Sequence, residues 1–235
     1  MELREEYVSS QRQLGVLLWL HWLLTFSPML PFTIAIALLV AQLDLHSDRT
    51  LILWLVLASA LICASLVGFL QSRVLQRHIN VGRQWVIATA SGIGVLWPLA
   101  LGVFFLTETV SIPEWPGSWE QLGRWGWMIA WFTTGLAQYL VLDEHWRRAG
   151  WWVMANSIAG ITGLMLGSIV SSQLSPSRWW PELQPDLYAL PQAWIAGITV
   201  AAITSGGVTG VVLVWLLRQQ RLAWLEAPRL SERGK

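Results

Sequence analysis

The chain has 235 residues, 54% of them hydrophobic and only 12% charged, with a formal net charge of +1. A soluble domain of this size carries about twice that charged fraction, and nucleic-acid binding calls for a basic patch interleaved with aromatics; both classes are excluded. Cys63 is the single cysteine, which excludes an intrachain disulfide and a thiolate metal cluster.

Residues 13–43, 50–72, 84–107, 125–142, 149–177 and 187–217 contain no Asp, Glu, Lys or Arg. A helix needs about 20 apolar residues to cross a bilayer, with a lower limit near 17. Five runs exceed that length and the fourth reaches it. Strands of a membrane barrel would be shorter and would alternate with polar residues. The expected fold is therefore all-α: a polytopic transmembrane helix bundle of about six spans at 13–217. Short tails at 1–12 and 218–235 flank it. The first run follows a tail of mixed charge and is too long for a cleavable leader. Pro28 and Pro31 remove two amide donors from it, so a kink or interruption is expected there. Thr25 and Ser27 are placed to satisfy carbonyls freed by that break.

Charge orients the bundle. The loops at 44–49, 108–124 and 178–186 hold three basic residues, Arg49, Arg124 and Arg178, and the other twelve lie in the tails and in the loops at 73–83 and 143–148. Acidic residues divide evenly between the two sides. The positive-inside rule then puts both termini in the cytoplasm. Eighteen tryptophans are read as interfacial anchors. Trp54, Trp115, Trp119, Trp125, Trp127, Trp179, Trp180 and Trp194 fall towards the outer face. Trp85, Trp146, Trp151, Trp152, Trp215 and Trp224 fall towards the inner face.

A weak internal repeat runs through the chain. Offset by 67 residues, Gly68 matches Gly135, Gln71 matches Gln138, Leu75 matches Leu142, His78 matches His145, Trp85 matches Trp152 and Ala88 matches Ala155. A looser third copy is read from Gly210. Both matched turns lie on the same side, so the repeat is parallel, unlike the inverted plan of many carriers. Gly163 with Gly167, Gly206 with Gly210, Ala64 with Gly68 and Ala155 with Ala159 are small residues at four-residue spacing. They suit close helix packing in lipid. The adjacent Gly206 and Gly207 are a candidate loosening of the last helix.

Candidate chemistry is sparse. No charged residue lies within a run, which argues against pumps and proton-coupled carriers. His21 is the one midspan candidate for chemistry, as a ligand for a pigment magnesium or haem iron. His78 and His145 flank basic turns where Arg77, Arg83, Arg147 and Arg148 suit lipid headgroups. Gln71 and Gln138 are expected either to bond between repeat units or to meet a polar ligand. Asn156, Ser157 and Thr162, with Thr133 and Thr134, are the candidate lining of an intramembrane polar cavity. Hydrolase, P-loop and zinc-protease signatures are absent. No cofactor and no catalytic activity are expected.

The segments built on Gly68, Gln71, Leu75, Gly135, Gln138, Leu142, Arg147, Arg148, Ala149, Gly150, Trp151, Trp152, Gly210 and Trp215 resemble a family of Gly/Trp-rich polytopic membrane proteins. That family is common in cyanobacteria and in some other photosynthetic or filamentous bacteria. Its members look like Gly/Ala-rich helices broken by LQW and RRAGWW segments. The first copy departs from the pattern, with Val81 and Gly82 in place of the Arg-Ala pair. The resemblance covers roughly residues 65–220 and implies a membrane fold in a bacterial plasma or thylakoid membrane. It carries no activity with it. The expected role is an accessory, scaffold or assembly subunit of a membrane complex, with lipids and a membrane protein as partners. The alternative is a small carrier or binding protein for a neutral or lipid-like molecule.

Overall fold

The computed structural model describes residues 2–31, 34–35, 49–92, 119–146, 148–174 and 189–232, and every regular element among them is helical. The helices are α1 (Glu2–Leu24), α2 (Arg49–Leu75), α3 (Gly82–Ser91), α4 (Trp119–Asp143), α5 (Gly150–Leu174) and α6 (Ala189–Glu232). Each packs mainly on its neighbours in the chain, and α6 returns onto α1, so the six form a ring in chain order. Four stretches are long and apolar enough to cross a membrane: Gln13–Pro31, Leu57–Leu75, Gly150–Leu174 and Ile195–Gln220. The third run is described only as far as Gly92. Trp97, Trp115, Trp179, Trp180, Arg178 and residues 108–118 and 178–186 lie outside the described residues.

The outside of the bundle is apolar where a soluble protein's is not, and polar side chains lie among the apolar ones inside. Leu17, Ile62, Ile129, Leu140, Met165 and Val211 are all more than half exposed, while Gln71, Gln138, Asn156, Thr89, Thr134 and Thr209 are almost completely buried. On α4 the exposed set Ile129, Phe132, Leu136 and Leu140 recurs every three or four residues, one continuous stripe on a helix of 3.6 residues per turn. On α5, Met154, Ile158, Ile161, Met165 and Ile169 do the same. Apolar side chains facing outward cost nothing in lipid, whereas amides and hydroxyls must find partners inside. No charged side chain is buried among the described residues.

Small residues set the closest helix approach. A Cβ on Gly167 would sit 2.6 Å from the carbonyl oxygen of Gly197, and one on Gly163 would sit 2.9 Å from Ser205 Oγ. The backbones of α5 and α6 therefore touch nearly directly. Gly206 and Gly207 do not loosen α6, which runs unbroken through them. A Cβ on Gly206 would instead lie 2.8 Å from Phe26, and one on Gly210 would lie 2.8 Å from Trp19. Both glycines admit α1. Trp19 Nε1–H donates to the carbonyl of Gly207 at 3.0 Å, fixing the same seam.

The expected break in the first run is present. α1 ends at Leu24 and residues 25–28 form a turn ahead of a short helical stretch at 29–31. Ser27 N–H donates to the carbonyl of Leu24 at 3.0 Å, filling the acceptor that Pro28 leaves unserved. The Thr25 hydroxyl donates to the carbonyl of Trp22 at 2.6 Å. At the other end, α1 begins at Glu2 and α6 continues to Glu232, so both tails are largely helical extensions.

Candidate functional site

Three indoles meet inside the ring. Trp22 on α1, Trp85 on α3 and Trp152 on α5 are buried, none more than 1% exposed. Their ring centroids are 6.2 Å apart for Trp22 and Trp85, 5.5 Å for Trp22 and Trp152, and 5.6 Å for Trp85 and Trp152. All three pairs are edge-to-face, the arrangement that sets the positive ring edge on the negative ring face.

An indole N–H sealed from water has to find an acceptor or forfeit its desolvation energy. Trp85 donates to Gln71 Oε1 at 3.0 Å and Trp152 to Gln138 Oε1 at 2.9 Å, each across 14 residues of chain. Trp22 donates to Thr209 Oγ1 at 3.0 Å. The helix that supplies the acceptor thus always packs on the helix that supplies the indole. Two further features recur around each bond. A Cβ on Gly68 would meet Thr89, one on Gly135 would meet Asn156, and one on Gly206 would meet Phe26. Each glycine lies three residues before the acceptor, and each neighbour four residues after the tryptophan. Leu75, Leu142 and Leu213, four residues after the acceptors, are all fully buried. The position that corresponds to Gly68 and Gly135 is therefore Gly206, four residues before the expected Gly210.

Gln138 links three helices. Its oxygen accepts from Trp152 on α5, and its Nε2 donates to Thr89 Oγ1 on α3 at 2.8 Å. Thr89 Oγ1 in turn donates to the carbonyl of Trp85 at 2.9 Å. Beside this chain of bonds is a cavity of about 10 Å³ lined by Trp22, Phe26, Gln71, Trp131, Asn156 and Thr209, among others. That is close to the smallest volume that admits one water. The stacked rings of Phe26 and Trp131, 6.5 Å apart, form part of its wall.

The expected site residues divide into two sets. Gln71, Gln138 and Asn156 come together at the cavity, and of the polar residues on the fourth and fifth runs Thr134 joins them. Ser157, Thr162 and Thr133 bond back to carbonyls of their own helices. His21 faces outward, and its Nδ1–H donates to the carbonyl of Leu17 at 2.8 Å. His145 is half-buried with Nδ1–H on the carbonyl of Val141 at 3.2 Å. His78 is exposed in the turn after α2. Among the described residues no three His, Cys, Asp or Glu side chains group as a metal site.

The interfacial reading of the tryptophans needs correcting. Trp54 and Trp151 are well exposed, but Trp85, Trp146 and Trp152 are core residues, at most 3% exposed. The reason is the acceptor: a buried Gln lets an indole enter the bundle that would otherwise stay at the headgroups. Trp146 is the exception, since its Nε1 is buried with no partner. Trp22, Thr89 and Thr209 complete the site. The signal for Thr209 lay in G-x-x-T-x-x-V-L at 206–213, which keeps the frame of G-x-x-Q-x-x-V-L at 68–75 and 135–142.

No family model, no curated protein and no solved structure matches this chain.

Trp152→Phe and Trp146→Phe remove the same ring area, but only the first strands a buried acceptor. Trp152→Phe is expected to cost about 1–3 kcal/mol more, read as a lower midpoint of unfolding in detergent. Equal losses would show that the Gln138 bond contributes nothing.

Proposed function

We propose that the chain is a non-catalytic integral membrane subunit that acts as an accessory, scaffold or assembly factor of a larger membrane complex. The observation that carries this reading is how little space the described residues leave between the indoles. A drug- or vitamin-sized ligand needs a pocket of about 300 Å³ or more, against about 10 Å³ between the indoles. The polar cavity does lie between the first, fourth and fifth runs, where a carrier would need it. Its size supports a structural role instead. The absence of buried charge among the described residues removes the usual groups for ion or proton coupling.

The bundle is read here as six spans built from three parallel hairpins, α2–α3, α4–α5 and a third split between the chain ends, α6 with α1. Support comes from the recurring tryptophan bonds and glycine contacts at Gly68, Gly135 and Gly206. Such a ring presents mainly apolar side chains outward, the surface through which a subunit meets lipid or another membrane protein. Resemblance to the cyanobacterial family makes plasma or thylakoid membrane complexes the candidate partners.

Two measurements bear on this reading. On native gels after mild solubilisation from its host, the protein should migrate well above its 26.4 kDa, with a second polypeptide in fixed stoichiometry. Migration alone with a bound small molecule would replace the subunit reading with the carrier one. For orientation, a Cys63→Ser, Arg49→Cys variant should react with an impermeant maleimide added outside intact cells. Labelling of Arg49→Cys only after lysis would reverse the topology and place the termini outside.

A further inference from the structure

The basic end of the α5–α6 seam carries a cluster that the indole core does not use. The Arg148 guanidinium lies over the Trp215 ring, 5.8 Å from its centroid. Its Nη1–H reaches Gln219 Oε1 at 3.4 Å. Trp151 meets the Trp215 ring edge-on, with centroids 5.9 Å apart, yet keeps 56% of its surface exposed. Arg148 is itself exposed. A guanidinium offers five N–H donors in a planar fork, and one long bond to Gln219 leaves most of them facing outward. The ring beneath holds the head in place, so little side-chain freedom is left to lose when an anion binds.

The position along the helix selects the anion. Arg148 is the last charged residue before the uncharged run 149–177, and α5 is apolar enough to span a membrane. Its guanidinium is then at the level of the lipid phosphates, where tryptophans also settle. Below it, Trp151, Met154 and Ile158 are 56%, 54% and 47% exposed and share one helical face. They form a track of one to two turns along which an acyl chain can lie. The residues that correspond to Arg148 in the recurring pattern are Val81 and Leu18, neither of them charged; elsewhere at this end Arg73 lies over a phenylalanine ring, Phe69, 5.0 Å from its centroid.

We propose that Arg148, Trp151 and Trp215 form a binding site for the phosphate of an anionic phospholipid, with its acyl chain along Met154 and Ile158. The site rests on the membrane placement of α5 and is independent of whether the chain is a complex subunit. The charged guanidinium and its outward N–H fork recognise a phosphodiester with no cationic headgroup in preference to a zwitterionic one, whose own ammonium competes for the phosphate.

Native mass spectrometry of the detergent-purified chain, titrated with phosphatidylglycerol or phosphatidylcholine, tests this. The wild type should prefer phosphatidylglycerol. Arg148→Gln should lose about fivefold or more of that preference, with phosphatidylcholine adducts and helical circular dichroism unchanged. Arg83→Gln, at an exposed arginine on the same end, should keep the preference. An Arg148→Gln variant with wild-type preference would overturn the site, as would an Arg83→Gln variant that loses as much. Displacement of the lipid by millimolar inorganic phosphate would also overturn it, because the acyl track would then contribute nothing.

Discussion

An indole N–H inside an apolar slab has no water to fall back on, and the architecture follows from how three of them are satisfied. Trp22, Trp85 and Trp152 bring the largest side chains in the sequence to one point, where edge-to-face contacts reward their packing. Each needs an acceptor from the neighbouring helix, supplied by Thr209, Gln71 and Gln138. A polar residue in the middle of a membrane helix is costly by itself. Paired with an indole it becomes a directional joint, and directional joints fix the rotation of each helix about its axis. The glycines then follow. Gly68, Gly135 and Gly206 stand where any Cβ would press on the helix carrying the indole.

The same constraint explains why the outside is greasy and uniform. With hydrogen bonds and small residues spent on the interior, the outward stripes of α4 and α5 are leucine, isoleucine, methionine and phenylalanine. Lipid gives no hydrophobic drive for such faces to hide. Specific association of the helices rests on the polar joints and on close backbone packing, as at Gly163 and Gly167 against α6. Between the indoles the described residues leave a cavity of only about 10 Å³.

Much of this was legible in the residues, and some was not. The 67-residue offset already paired Gln71 with Gln138 and Trp85 with Trp152, and the structure makes the same bond in both copies, Trp85 to Gln71 and Trp152 to Gln138. The uncharged runs pointed to helices, of which four stretches are long and apolar enough to cross a membrane, and Pro28 lies in the turn that follows α1. The third joint was hidden for two reasons. Its acceptor is a threonine where the others are glutamines, and its halves lie at opposite ends of the chain, 187 residues apart. Periodicity along a sequence cannot display a unit that closes through space. Trp85 and Trp152 read as interfacial because a headgroup and a buried amide satisfy an indole equally well, and only packing tells them apart; Trp54 and Trp151 keep the exposure expected of them. His21, His78 and His145 are titratable, but their positions follow from helix faces and turns.

The account depends most on the joint that closes the ring, between Trp22 and Thr209. A double-mutant cycle on unfolding in detergent, using Trp22→Phe and Thr209→Val, isolates it. The account predicts a coupling on the order of 0.6 kcal/mol or more, the scale of polar contacts between membrane helices. Costs that add to within about 0.3 kcal/mol would contradict it, leaving α1 and α6 as neighbours held by packing alone.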